Sequence, residues 1–281
     1  MELSFNLNGK VFRSDERVIH PDSRSFRYGE GLFETIRLHK ADLPLWNQHL
    51  SRLAHALPQL YFSLPAHFTS EFLKKEVLAL AVKNKCIDAA RVRITVFKGE
   101  GGLWESPTTP FNYLVQCWPI EKKPFSMNEN GLDIGLFEDG WKSCDTFSNL
   151  KSNNYLLYAM AAQHARQQKW NEALVLNQYK RICDATIANV FFVKNNIVHT
   201  PHLAEGCIAG VMRNYLLQQI KQAGVKTEEA EFTAEDFMNA EEVFLTNAFY
   251  GIRWVKSFGS KIYPCFHSAG FFQQHISPLF K

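Results

Sequence analysis

The sequence predicts a mixed α/β (α+β) fold divided into two domains. Three observations carry this. Short stretches that alternate apolar and polar residues are interspersed with stretches of helical periodicity. The two kinds do not follow a regular βαβ order, which argues against a doubly wound parallel sheet. A polar, proline-containing stretch near the middle, Glu121 to Asn130 (EKKPFSMNEN), reads as a linker over 122–130. The 281 residues suffice for two modest cores, so the domains are expected at 1–121 and 131–281, the second and larger one carrying Lys151.

The elements follow in order. Asn8-Gly9 between Leu3–Leu7 and Val11–Phe12 is a hairpin turn whose backbone twist matches that of strands. Tyr28 to Leu38 (YGEGLFETIRL) places two glycines before a β-prone run. Pro44 opens a helix with Trp46, Leu50, Leu53 and Leu57 on one face. Thr69 or Ser70 caps a second helix, with Leu73, Val77 and Leu80 inward. Arg91 to Phe97 alternates strictly, with Val92, Ile94 and Val96 on one side, and ends in the flexible loop Lys98–Gly102. Beyond the linker, strands are expected at Leu132–Leu136, Ala173–Leu176, Val190–Val193, Ile197–Val198 and Val243–Thr246. Helices are expected at Asn153–Gln168, at Val211–Ala223 stopping at Gly224, and after the capping box Thr233–Asp236.

Composition excludes more than it assigns. With 46% apolar residues the chain is neither disordered nor a low-complexity polymer. A net charge of +3 is too balanced for a nucleic-acid binder. The first residues alternate like a strand rather than a signal peptide, and no apolar run reaches membrane-helix length, so no membrane partner is expected. Six scattered cysteines, without a CxxC pair, suit free thiols in a cytoplasmic protein. The ten histidines have no metal-site spacing, no metal is expected, and His49 and His164 read as ordinary helix residues. No nucleotide-binding, zinc-protease or nucleophile-elbow motif is present, so the residues alone name no reaction.

Six segments, taken together and in order, resemble the fold-type IV pyridoxal-phosphate enzymes, the class IV aminotransferase family. They are Arg24–Leu38, Asn47–Leu53, Asn149–Ala161, Ile182–Val193, Thr200–Arg213 and Glu241–Val255. The family contains branched-chain and D-amino-acid aminotransferases and aminodeoxychorismate lyase. The resemblance implies two α/β domains with pyridoxal 5'-phosphate in the cleft between them, a homodimer, and a small amino-acid-type substrate.

It also implies roles for particular residues. Lys151, in Asn-Leu-Lys-Ser, stands where the family keeps its Schiff-base lysine, an amine whose ammonium form must be destabilised before it can act. Asp184 stands where the family usually has Glu against the pyridine nitrogen, one methylene shorter. Arg52 matches the phosphate-binding arginine, with the backbone of Val211 and Met212 and the turn at Asn247 and Ala248 completing the phosphate site. Many relatives have Thr at the position of Met212. Thr186 supports the ring. Lys98 stands where related enzymes tend to have a carboxylate-binding arginine; Arg27 and Arg93 are the other candidates, and Tyr28 and Phe33 wall the pocket.

Lysine chemistry is shared by the lyase and the transaminases, so Lys151 does not separate them. Gly210–Arg213 (GVMR) and Thr246-Asn247-Ala248 with Gly251 resemble the lyase, which releases pyruvate and 4-aminobenzoate for folate biosynthesis. A branched-chain or D-amino-acid aminotransferase is the alternative, and a non-catalytic cofactor-binding relative a distant one.

Overall fold

The computed structural model describes residues 3–104 and 111–281. They form two compact units, one of Met1–Pro124 with Leu150–Asn154, the other of Phe125–Asn149 with Tyr155–Lys281.

In the first unit β1 (Ser4–Leu7) and β2 (Lys10–Arg13) form the expected hairpin. Asn8 and Gly9 both take positive φ, 54° and 84°, as the turn that matches strand twist requires. A short helix α1 (Arg24–Tyr28) leads into β3 (Gly31–His39). Then come α2 (Trp46–Gln59), α3 (Ser70–Lys83), β4 (Ala89–Lys98) and β5 (Phe111–Pro119). The Thr69 side chain caps α3 by accepting from the Phe72 N–H. The sheet runs β2-β1-β5-β4-β3, antiparallel at every pairing. Its core packs Ile36, Leu38, Val92 and Ile94 against Leu53, Leu57, Leu73 and Val77. Strand β5 has no counterpart in the sequence reading, although Tyr113, Val115 and Cys117 are its buried alternate residues.

The order of the sheet leaves β3 at one edge, where unpaired backbone groups need covering. Leu150–Asn154 covers it. The Phe33 N–H donates to the Lys151 carbonyl (2.9 Å) and the Asn153 N–H to the Gly31 carbonyl (2.9 Å). The sequence places Lys151 in the second domain, and this pairing is why its segment instead groups with the first. It is also why the helix expected from Asn153 begins later. The approach requires glycine at two positions. Gly29 takes a φ of 71°, and a Cβ there would lie 2.0 Å from Asn154 Oδ1. A Cβ on Gly31 would lie 2.3 Å from Asn153 Nδ2 and 2.8 Å from the Val96 carbonyl oxygen.

The second unit begins with β6 (Leu132–Lys142), α4 (Leu156–Gln167), β7 (Glu172–Asn177) and β8 (Ile182–Ala185). It continues with β9 (Asn189–Lys194), β10 (Ile197–Pro201), α5 (Val211–Gln222) and β11 (Thr227–Ala230). It ends with α6 (Ala234–Met238), β12 (Glu242–Asn247), β13 (Gly251–Phe258), β14 (Lys261–Ile262), α7 (His267–Phe271) and short helical turns to Phe280. The sheet order is β11-β10-β9-β12-β13-β6-β7-β8, with β14 beside β13. Parallel pairs (β10 with β11, β13 with β6, β6 with β7) mix with antiparallel ones, so the unit is mixed α/β. Every residue of β7 is buried, as expected of a strand covered on both faces.

Phenylalanine supplies much of this core. Phe192 meets Phe232 and Phe237, and Phe191 stacks on Phe244. The expected linker is only partly a linker. Phe125 stacks on Phe280 (3.8 Å between centroids) and Phe272, and Asn128 makes three hydrogen bonds with Trp254. Residues from Phe125 onward therefore belong to the second unit. Among the described residues no helix is long and apolar enough to cross a membrane.

Gly31→Ala is expected to destabilise the protein by about 1–3 kcal/mol through overpacking against Asn153 and a rigid carbonyl. The urea unfolding midpoint measures this, and an unchanged midpoint would contradict the close packing at β3.

Candidate active site

Within the first unit the paired segment fixes the Lys151 backbone, and the side chain then lies on Phe33. Its Nζ is 4.5 Å from the centroid of the Phe33 ring, and the Arg93 guanidinium carbon is 3.7 Å from the same centroid. Phe33 thus carries two basic side chains on one ring, contacts that its electron-rich face favours.

The next residue along β3, Glu34, points the opposite way and is 1% exposed. It meets two residues of α2. Its Oε1 accepts from Arg52 Nε at 2.8 Å, and its Oε2 accepts from Arg52 Nη2 and lies 2.7 Å from His49 Nδ1. Burial pushes the Glu34 carboxyl up, but the charge of Arg52 and the hydrogen bonds from Arg52 and His49 outweigh it and hold the carboxyl down at about 2. Burial lowers His49 below the ordinary imidazole range against the pull of Glu34, with Arg52 and Lys151 adding to the effect. His49 is wholly buried, and its Nε2 has no hydrogen-bond partner among the described residues. The sequence reading passed over Glu34 and took His49 as an ordinary helix residue. A carboxylate inside a β-prone run, and a histidine three residues before Arg52, were the available signals.

The three basic candidates for a substrate carboxylate separate. Lys98 Nζ lies 3.6 Å from Glu30, which also takes two bonds from the buried Arg24 at 2.6 and 2.7 Å. Arg27 lies 3.5 Å from Asp22 and over the Tyr28 ring. Only Arg93 shares the Phe33 ring with Lys151. Arg24 and Glu30 had not been singled out by the sequence.

In the second unit Asp184 stands on β8, 2% exposed. Its Oδ2 accepts from Tyr158 Oη at 2.8 Å, the Ile208 N–H at 2.9 Å and Lys142 Nζ at 3.3 Å. Its Oδ1 accepts from Asn189 Nδ2 at 2.9 Å, which also donates to the Ile208 carbonyl. The loop into α5 is thereby tied to Asp184. Burial nevertheless raises the Asp184 carboxyl above its usual range.

Helix α5 starts with Val211 and Met212 buried, after Gly210, and no side chain caps it. The first N–H groups of a helix lack intrahelical acceptors, and a buried, uncapped start is a site for an anion. Thr246, at the end of β12, is buried with no partner for its Oγ1 among the described residues. Asn247 closes the following turn: its Oδ1 accepts from the Phe249 and Tyr250 N–H groups, and its Nδ2 donates to the Ile187 carbonyl. Ala248 is half-buried in that turn. The Thr186 hydroxyl donates to Glu172, which Arg253 also holds at 2.8 Å. In the sequence Thr246 counts only as part of a lyase-like motif and not as a site residue.

Taken unit by unit, the seated lysine of the first suits an aldehyde, and the buried carboxylate, the uncapped helix start and the orphaned hydroxyl of the second suit a pyridine nitrogen and a phosphate. The family model of amino-transferase class IV matches residues 31–258. The chain belongs to this family. It is a fold-type IV enzyme dependent on pyridoxal 5'-phosphate. It is similar to the aminodeoxychorismate lyase of Vibrio harveyi, 29% identical over 82% of this chain and 83% of that protein. It is 26% identical to the D-alanine aminotransferase of Bacillus licheniformis over 86% of this chain and 83% of that one. The branched-chain aminotransferase of Thermoproteus uzoniensis shares the fold, with a TM-score of 0.88 and 19% identity over 100% of this chain and 95% of that one.

The Glu34 cluster has a pH signature. An unfolded glutamate protonates near 4.5 and folded Glu34 near 2, so its stabilisation is complete above 4.5 and is lost as pH falls toward 2. Burial of neutral His49 acts in the same direction, costing stability as pH falls below 6.5. Glu34→Gln is expected to lower stability at pH 7 by about 3–5 kcal/mol, because Arg52 loses its buried partner. Urea unfolding at pH 7 and pH 3 should also show a shallower acid dependence in the variant. Parallel pH curves would assign the acid loss elsewhere.

Proposed function

We propose that this chain is a 4-amino-4-deoxychorismate lyase, releasing pyruvate and 4-aminobenzoate. The start of α5 carries the reading. It is buried and uncapped, and its Gly-Val-Met-Arg sequence, Gly210–Arg213, resembles the lyase more than the Gly-Ile-Thr-Arg common in transaminases. The 29% identity to the Vibrio harveyi lyase supports it.

Pyridoxal phosphate supplies an aldehyde that takes up the substrate amine and a ring that accepts an electron pair. The chain's own residues do the rest. Lys151 Nζ would hold the aldehyde of the bound cofactor and would take the proton from the amine-bearing carbon of the substrate. Phe33 seats both the Lys151 and the Arg93 side chains. Asp184 holds a proton at the ring nitrogen, and Thr186 supports the ring. The Val211 and Met212 N–H groups bind phosphate, together with Arg52, which Glu34 orients, and the Asn247–Ala248 turn. Arg93 receives a substrate carboxylate, with Lys98 and Arg27 the other candidates and Tyr28 and Phe33 walling the pocket.

A transaminase is the second reading. The 26% identity to the Bacillus licheniformis D-alanine aminotransferase supports it. The chain also works as a cytoplasmic homodimer in this proposal. Leu156 and Met160, one turn apart on α4, are 73% and 48% exposed, an apolar stripe suited to a second copy.

Chorismate, glutamine and an aminodeoxychorismate synthase, coupled to this protein, should yield 4-aminobenzoate. No product there, with glutamate formed from leucine or D-alanine and 2-oxoglutarate, would replace the lyase with a transaminase. Lys151→Ala should lower turnover by about 10²–10⁴-fold or more. Retained turnover would remove Lys151 from its role. Asp184→Ala should slow turnover more than it weakens cofactor retention, as measured by absorbance after dialysis; equal losses would make Asp184 structural.

A further inference from the structure

Asp184 has a counter-cation of its own. Lys142 Nζ lies 3.3 Å from Asp184 Oδ2, and the two side chains are only 10% and 2% exposed. A lysine this deeply buried is uncommon without a partner. Strand β6 delivers it by an irregularity: its register against β7 shifts between Phe137 and Trp141, and Lys142 follows at once. Its ammonium also lies 5.2 Å from the Tyr158 ring centroid, and the Tyr158 hydroxyl donates to the same carboxylate oxygen.

The donors on Asp184 are unevenly divided. Oδ2 takes Lys142, Tyr158 and the Ile208 N–H, whereas Oδ1 takes Asn189 alone. A carboxylate oxygen accepts about two hydrogen bonds, so Oδ1 keeps the capacity for one more. The cation and the remaining acceptor are thus on different oxygens.

We propose that Lys142 is a positioning residue that keeps Asp184 ionised, so that the proton between Asp184 Oδ1 and the ring nitrogen of pyridoxal phosphate rests on the nitrogen. This rests on the reading of Asp184 given above. One proton is shared by two bases, and Lys142 decides which holds it. A positive charge against the carboxylate opposes a proton there more than one on a nitrogen farther away. Burial raises the Asp184 carboxyl, and Lys142 is the strongest opposing influence, ahead of the Ile208 N–H and Tyr158. Without Lys142 the buried carboxyl would take the proton and leave a neutral pyridine. The other titratable groups around Asp184 do not compete near neutral pH. Burial pushes Tyr158 on α4 and Cys183 on β8 well up, and Cys207, in the loop before α5, up to about 12.

The test uses full-length protein loaded with pyridoxal phosphate labelled with ¹⁵N in the ring, whose chemical shift reads the nitrogen's protonation directly. Wild type, Lys142→Met, Lys142→Arg and Asp184→Asn are compared at neutral pH. The wild-type signal should lie in the protonated range. Lys142→Met should move it at least halfway toward the unprotonated value, and Lys142→Arg, which restores the charge, should return it. Where Lys142→Met does not fold or retain cofactor, Lys142→Gln carries the same comparison. A signal unmoved by loss of the lysine charge but moved by Asp184→Asn overturns the role of Lys142 and leaves that of Asp184 standing. A signal unmoved by Asp184→Asn overturns both.

Discussion

Two backbone hydrogen bonds, Phe33 N–H to the Lys151 carbonyl and Asn153 N–H to the Gly31 carbonyl, are the constraint on which the first unit's chemistry depends. They turn a five-residue stretch into the cover of an exposed strand edge. Because the pairing is made by main chain, it fixes the lysine's position to within what a strand register allows. Once Lys151 is opposite β3, the alternation of that strand sorts its neighbours. Phe33 is presented to the lysine, while Glu34 turns inward to Arg52 and His49. The glycines of YGEG are needed because main chain and asparagine side chains crowd them.

The second unit solves a different problem, that of housing a carboxylate where water does not reach. Its answer is a carboxylate ringed by donors from four places in the chain: β6, α4, β9 and the loop before α5. Asn189 does double duty, bonding both to Asp184 and to the Ile208 carbonyl. The orientation of the carboxylate and the start of α5 are therefore set by one side chain. The aromatic core around Phe192 and Phe237 gives these strands a rigid backing.

Local patterns were legible in the sequence wherever one element carried its own signal. The Asn8-Gly9 hairpin, the Thr69 cap, the inward face of Arg91–Phe97 and the capping box at Thr233 all stand in the structure. Candidate residues such as Arg52, Lys151 and Asp184 were reached through resemblance, because a lysine or an aspartate has no periodicity that names its task. What escaped was pairing between distant segments. Nothing near Lys151 says that it joins β3, so its segment was expected in the other domain. Glu34, Arg24 and Lys142 carry no sequence signal of their own, since a buried ion pair is visible only when both partners are in hand. Linker residues from Phe125 onward looked polar and loose until Phe272 and Phe280 supplied their partners.

The cover on β3 has a consequence for how this protein can be divided. The first unit is not a continuous stretch of chain: its last strand-like piece is supplied after the second unit has begun. A cut after Pro124 would leave the first unit with a bare sheet edge and without its lysine. The chain enters the second unit at Phe125, returns to the first for Leu150–Asn154 and leaves it again at Tyr155, so no single cut yields both units whole.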